Sequence, residues 1–120
     1  MNMLQRKLAN IPPSWRAIVF LWREELSFKV LTICAVLIIA LSFLVHISVT
    51  EFLLVVLTIG AVLSIEALNT ALEELCDHIT LDEHPQIGKV KDIASGASLL
   101  MLIAALIVGL TIFIPHLTNL

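Results

Sequence analysis

The sequence predicts an all-α membrane protein, with an N-terminal amphipathic helix lying in the membrane interface and three transmembrane helices after it. Three observations carry this prediction. The 120 residues are 59% hydrophobic and 14% charged, with a mean hydropathy of +1.03. A soluble domain is about 45–50% apolar and about 25% charged, so this chain has too little polar surface to coat a globule in water. Apolar runs of membrane-spanning length recur three times. The basic residues fall in only two places, at ends of those runs that a three-span chain brings to one side of a bilayer.

The first apolar run goes from Val30 to about Thr50, with no Lys, Arg, Asp or Glu until Glu51. The second starts at Phe52, is apolar or small to Ile65, and continues with helical character through Glu66, Asn69 and Glu73 to about Asp77. The third, Ile93 to Ile114, holds no ionisable residue. A helix needs about 20 apolar residues to cross a bilayer, which the first and third runs supply outright. The second reaches that length if its last turns carry polar groups into the interface. Backbone groups in hydrocarbon must pair internally, so all three are expected as helices. The expected organisation is a single domain, 1–120: an interfacial region 1–28 and transmembrane helices at 29–48, 51–77 and 90–115. Turns are expected between His46 and Glu51, and between His78 and Gly88 around Pro85.

Orientation follows from charge. Arg6, Lys7, Arg16, Arg23 and Lys29 precede the first span, and Lys89 and Lys91 lie between the second and third. With three spans these regions share one side, which the positive-inside rule makes the cytoplasm. The N-terminus is expected inside and the C-terminus outside. No cleavable signal peptide is expected, because Arg23, Glu24, Glu25 and Lys29 precede the first apolar run and no small-residue cleavage site follows it.

Near the N-terminus, Ser14 follows Pro12-Pro13 and reads as a helix N-cap. Beyond it Trp15, Ile18, Val19, Trp22 and Leu26 share one helical face, and Arg16 and Arg23 lie off it. An apolar, tryptophan-bearing face beside basic residues suits a helix lying in the membrane interface.

The chemistry-bearing pattern is Glu66-Ala-Leu-Asn69-Thr70-Ala-Leu-Glu73-Glu74-Leu-Cys-Asp77. At 100° per residue, Glu66, Asn69, Glu73 and Asp77 fall in one narrow sector with Thr70 at its edge, and Leu68, Leu72 and Leu75 point elsewhere. Glu66 and Asn69 directly follow apolar sequence, so they begin near the bilayer, where an ionisable group is costly without a partner and marks a functional site. Glu74 and Asp77 fit a solvated acidic face equally well. Glu24-Glu25, Asp82-Glu83-His84 and the stretch Lys89 to Asp92 reach the same membrane face. Carboxylates are the ligands expected for Mg²⁺, and Lys89 and Lys91 are suited to phosphates. Asp92 fits a helix cap as well as a ligand.

Other classes are excluded or left without support. The basic residues form no long run, which argues against nucleic-acid binding. No GxxxxGK[ST] loop, kinase-type Gly-rich loop or HRD motif occurs. Cys34 and Cys76 read as packing residues, and His46 and His116 have no spacing for a metal site. Gly96, among Ser95, Ala97 and Ser98, is small enough for close helix packing. From the residues alone, the protein is a membrane protein with an acidic, metal-binding cytoplasmic site.

A resemblance extends this. Glu66-x-Leu-Asn69-Thr70-Ala-Leu-Glu73-x-x-x-Asp77 resembles the signature of the prokaryotic diacylglycerol kinase family, and Gly88-Lys-Val-Lys91-Asp92-Ile-Ala-Ser95-Gly-Ala resembles its second characteristic block. Ser14-Trp15, Trp22 and Glu25-x-x-Phe28 stand at the matching separation upstream, so nearly the whole chain is covered. The resemblance implies a bacterial inner-membrane homotrimer with active sites between subunits, moving the γ-phosphate of ATP to a lipid hydroxyl with Mg²⁺ as cofactor. It implies Glu66 as general base, Glu25 and Glu73 as ligands of Mg²⁺ and ATP, and Asn69 and Asp77 as orienting residues. Arg6, Asp82, Glu83, His84, Lys91 and Asp92 would lie around the nucleotide. Ser14, Trp15, Trp22, Phe28 and Ser95 would border the lipid.

The leading acceptor on this reading is diacylglycerol, giving phosphatidic acid; the alternative is undecaprenol, giving undecaprenyl phosphate. The diacylglycerol subgroup often continues Glu-x-x-Phe with Arg-Gln-Glu, whereas Phe28 is followed here by Lys29-Val30-Leu31. That departure, the Glu-His84-Pro85 loop and the Ser-Gly-Ala segment lean toward undecaprenol, and Ser14-Trp15 and Trp22 lean toward diacylglycerol. A third reading, a non-catalytic membrane subunit, would keep the spans but leave the spacing of Glu25, Glu66, Asn69, Glu73 and Lys91-Asp92 without a purpose.

Overall fold

The computed structural model describes residues 1–79 and 84–119, and among these the only regular structure is helix. The helices are α1 (Met3–Ala9), α2 (Ile11–Glu24), α3 (Leu26–Leu44), α4 (Val49–Ile79) and α5 (Pro85–Thr118). The last three are long and apolar enough to cross a membrane. α2 packs on α3, α3 on α4, and α4 runs along α5.

The N-terminal region is two helices rather than one. Asn2 and Gln5 close a reciprocal capping box on α1. Asn10 ends α1 and starts α2. Ser14 is therefore not the N-cap: it lies one turn inside α2 and donates its hydroxyl to the Asn10 carbonyl at 2.7 Å. The reason is that a first helical turn has no internal partners for its N–H groups, so Pro12 and Pro13 fit inside the helix rather than before it. Trp15 and Ile18 remain exposed on α2, as an interface-lying face requires.

The chain breaks again at Glu25, whose φ of −106° and ψ of 110° are extended. α3 starts at Leu26 and stops at Leu44, short of the run's apparent end, because the chain reverses there. His46 takes a left-handed φ of 55°, and the Ile47 N–H returns to the Ser42 carbonyl at 3.3 Å. This is the wrap that commonly closes helix C-termini, with histidine where glycine usually stands. α4 then opens on a second reciprocal capping box. The Ser48 N–H donates to Glu51 Oε1 at 2.9 Å, and the Glu51 N–H donates to Ser48 Oγ at 3.1 Å. Glu51 also meets His116 Nε2 at 3.0 Å, tying the start of α4 to the end of α5. His116, unassigned in the sequence, thus has a structural partner.

The apolar core sits at this end: Val45, Val55, Ile112 and Phe113 are buried, with Ile38, Leu41, Ile59 and Val108 packed around them. Both cysteines are free; Cys76 is buried and Cys34 exposed. At the opposite, basic end α5 begins earlier than expected, at Pro85, which takes the first helical position instead of centring a turn that lasts to Gly88. His84 caps it, its Nδ1 accepting the Gln86 N–H at 3.2 Å. Asp92 is consequently not the cap; it lies two turns inside α5.

The left-handed His46 generates a prediction. A β-carbon costs about 1–2 kcal/mol in that conformation, and glycine removes the cost while giving up some back through its freer unfolded chain. His46→Gly should therefore raise the stability of the folded protein in micelles by up to about 1 kcal/mol, read from denaturant or thermal midpoints.

Candidate functional site

α4 is the helix that builds the site. At 1.5 Å per residue it is about 46 Å long, against a hydrocarbon core of about 30 Å. Glu66 is about 22 Å along it from Glu51, still within the hydrocarbon thickness and toward the basic end. Asn69, Glu73 and Asp77 then climb the same face to the boundary.

The structure gives these side chains specific partners. Glu66 is half-buried, and its Oε1 accepts a hydrogen bond from the Ser27 hydroxyl of α3 at 2.8 Å. One turn on, Asn69 Nδ2 donates to Glu73 Oε1 at 3.3 Å. Asn69 Oδ1 is buried with no partner among the described residues, an oxygen acceptor near the carboxylates. Farther up, Lys91 of α5 meets Asp77 at 2.8 Å, with both side chains more than a third exposed. This pair clasps the two helices on either side of their connection.

Among the described residues, no hydrogen bond or ion pair joins two of those expected around a nucleotide. Glu25 is half-buried in the extended break between α2 and α3, close in sequence to Ser27. Arg6 is exposed on α1, Asp92 is exposed on α5, and His84 is engaged in capping. Asp82 and Glu83 lie outside the described residues. Among the described residues, no three His, Cys, Asp or Glu side chains come together as a protein-only metal site.

Beside the acidic face lies a groove of about 660 Å³ between α2, α3 and α4. Ile18 and Leu21 of α2, Phe28 of α3, and Leu63, Ala67 and Leu68 of α4 line it. Gly60 of α4 leaves its floor open. Of the residues expected to border a lipid, Phe28 faces this groove, and Ser14, Trp15, Trp22 and Ser95 are exposed outside its lining. Trp22 instead carries the Lys29 ammonium 5.7 Å from its ring centroid.

Sequence reasoning missed Ser27 and the capping pair Ser48-x-x-Glu51. The second had a signal, the Ser-x-x-Glu spacing ahead of an apolar run. Ser27 had none, because its partner is in another helix.

A row of carboxylates entering the membrane beside an apolar groove defines a class: an integral-membrane protein that does polar chemistry at a lipid surface. Comparison with known proteins is specific about which. The family described as prokaryotic diacylglycerol kinase matches residues 13–113. An undecaprenol kinase of Bacillus subtilis is 35% identical over 116 residues, covering 97% of this chain and 94% of that protein. A diacylglycerol kinase of Synechocystis sp. is 32% identical over 114 residues, covering 94% of this chain and 65% of that protein. A diacylglycerol kinase of Escherichia coli is 25% identical over 103 residues, covering 86% and 84%. The chain belongs to the prokaryotic diacylglycerol kinase family, and it is a membrane-embedded lipid kinase.

The Asp77–Lys91 clasp is exposed, and exposed ion pairs add little to stability. Asp77→Asn should therefore leave the denaturation midpoint in micelles nearly unchanged. A large drop in that midpoint would show that the clasp holds α4 and α5 together.

Proposed function

We propose that the protein transfers the γ-phosphate of ATP to the hydroxyl of a membrane lipid at the cytoplasmic face of a bacterial inner membrane, with Glu66 as general base. The observation that carries this reading is the placement of Glu66. It is a half-buried carboxylate that directly follows the apolar part of α4, and it already accepts a hydrogen bond from a hydroxyl group at 2.8 Å. A lipid hydroxyl held at headgroup depth can donate to the same carboxylate.

The lipid O–H proton passes to Glu66 as the lipid oxygen forms its bond to the γ-phosphorus. The bond from that phosphorus to the bridging oxygen breaks, and ADP leaves with the electron pair. Such a reaction needs alignment and charge neutralisation more than covalent chemistry from the protein. Glu73 and Glu25 would hold Mg²⁺, and Asn69 would orient the site. Mg²⁺ takes one or two carboxylates together with phosphate oxygens, so the oxygen donors of Glu73 and Asn69 suit it without a protein-only cluster. When bound, the ion supplies neutralisation of charge on the β- and γ-phosphates. Lys91 would leave Asp77 for a phosphate, with Asp77 orienting it. Arg6, His84 and Asp92, with Asp82 and Glu83, would surround the nucleotide. The resemblance to the family supports sites completed between subunits of a homotrimer.

For the acceptor, the balance moves from diacylglycerol to undecaprenol. Diacylglycerol presents ester carbonyls around its hydroxyl, and the positions that would supply polar contacts to them hold Val30 and Leu31. The groove beside Glu66 is lined mainly by apolar side chains, which suits an isoprenoid chain. The Bacillus subtilis undecaprenol kinase also matches nearly end to end. Diacylglycerol remains the second reading, supported by Ser14-Trp15 and Trp22 and by the diacylglycerol kinases among the relatives.

The test is phosphate transfer from labelled ATP with Mg²⁺ in detergent–lipid micelles, offering each lipid separately. Undecaprenol should be the better acceptor, and a preference for diacylglycerol reverses the assignment. A general base is worth about 10²–10⁴ in rate, so Glu66→Gln should lose that much activity while keeping its helical content. Full activity in Glu66→Gln would remove Glu66 from the chemistry.

A further inference from the structure

We propose that Ser27 is a positioning residue for Glu66, holding one carboxylate oxygen so that the other faces the acceptor hydroxyl. This rests on the reading of Glu66 as the base. The observation is how Ser27 spends its proton. The hydroxyls of Ser14, Thr32, Ser42, Thr58 and Thr118 all donate to a carbonyl one turn back on their own segment. That is the local habit of Ser and Thr in helices. Ser27 instead donates across to Glu66 Oε1, a partner 39 positions away. Among the described residues this is the one side-chain hydrogen bond that joins α3 to α4.

The backbone explains why Ser27 is available. Glu25 is extended, so α3 starts afresh at Leu26 and Ser27 stands in its first turn. The same break therefore sets Glu25, a proposed ligand of Mg²⁺, and Ser27, the partner of Glu66. A glutamate has three rotatable side-chain bonds, and an unheld carboxylate samples several orientations. With Oε1 occupied by Ser27, the lone pairs of Oε2 are left for the lipid hydroxyl, and the carboxylate keeps one orientation before substrate arrives. Prepaid alignment of this kind lowers the barrier without altering nucleotide affinity.

The experiment compares Ser27→Ala and Ser27→Thr with the wild type and with Glu66→Gln, using the full chain in lipid micelles. Ser27→Ala should lower kcat about tenfold, the loss expected for one hydrogen bond to a charged group, with KM for ATP unchanged. Ser27→Thr, which keeps the hydroxyl, should recover most of the rate. Denaturation midpoints should be alike for all four proteins. A merely structural role would lower the midpoint of Ser27→Ala and leave the hydroxyl without special value. Wild-type kcat in Ser27→Ala, with Glu66→Gln inactive, overturns the positioning role alone. Full activity in Glu66→Gln overturns the base assignment beneath it. Label from ATP appearing on the protein and vanishing in Ser27→Ala would also overturn the proposal, by making Ser27 an acceptor.

Discussion

The organisation of this protein depends on a mismatch of lengths. α4 is about half as long again as the hydrocarbon layer is thick, so one continuous helix must pass from lipid into the polar interface. Within lipid every backbone group must be paired internally, which forbids the helix from ending before it has cleared the hydrocarbon. Side chains in its later turns therefore stand at graded depths. Glu66 is deepest, Asn69 and Glu73 follow, and Asp77 is outermost. Such a gradient suits the proposed transfer from ATP in water to a lipid hydroxyl.

The two ends of the bundle are built differently. At the end away from the basic residues, the contacts fix geometry: a left-handed His46, the Ser48–Glu51 capping box, the Glu51–His116 pair and a small apolar core. At the basic end the contacts among the described residues are more exposed. Asn69 Oδ1 has no partner among those residues, and Asp77–Lys91 is open to solvent. An end that is rigid and satisfied anchors the helices. An end with exposed, exchangeable ion pairs suits the proposed nucleotide site. The extended residue Glu25 joins the interfacial helix to this end and sets the phase of α3.

The elements missed or misplaced from sequence share a cause. Ser14 reads as a cap, and Asp92 as a cap or a ligand, because their residue types favour those roles. Pro12-Pro13 and Pro85 instead lie within the first turns of their helices, which moved each start upstream. The turn expected from His46 to Glu51 is present, but α3 stops at Leu44, just before it, because its terminator is the left-handed backbone at His46. Lys91 pairs with Asp77 across a helix connection, a partnership that leaves no local pattern in the sequence.

The sequence by itself determined the three membrane helices, the basic end, and the acidic face of α4. Each is a property of a single segment, read from hydropathy, charge and the 100° step of a helix. It also carried the family, through short motifs in α2, around the α2–α3 break, in α4 and at the start of α5. Only the tertiary structure decided which groups meet: Ser27 with Glu66, Asp77 with Lys91, Glu51 with His116, and the groove between α2, α3 and α4. The physical reason is that apolar faces in lipid specify burial without specifying partners. The rotation of one helix against the next is set by close packing of side chains, and that is a relation between segments which no single segment encodes.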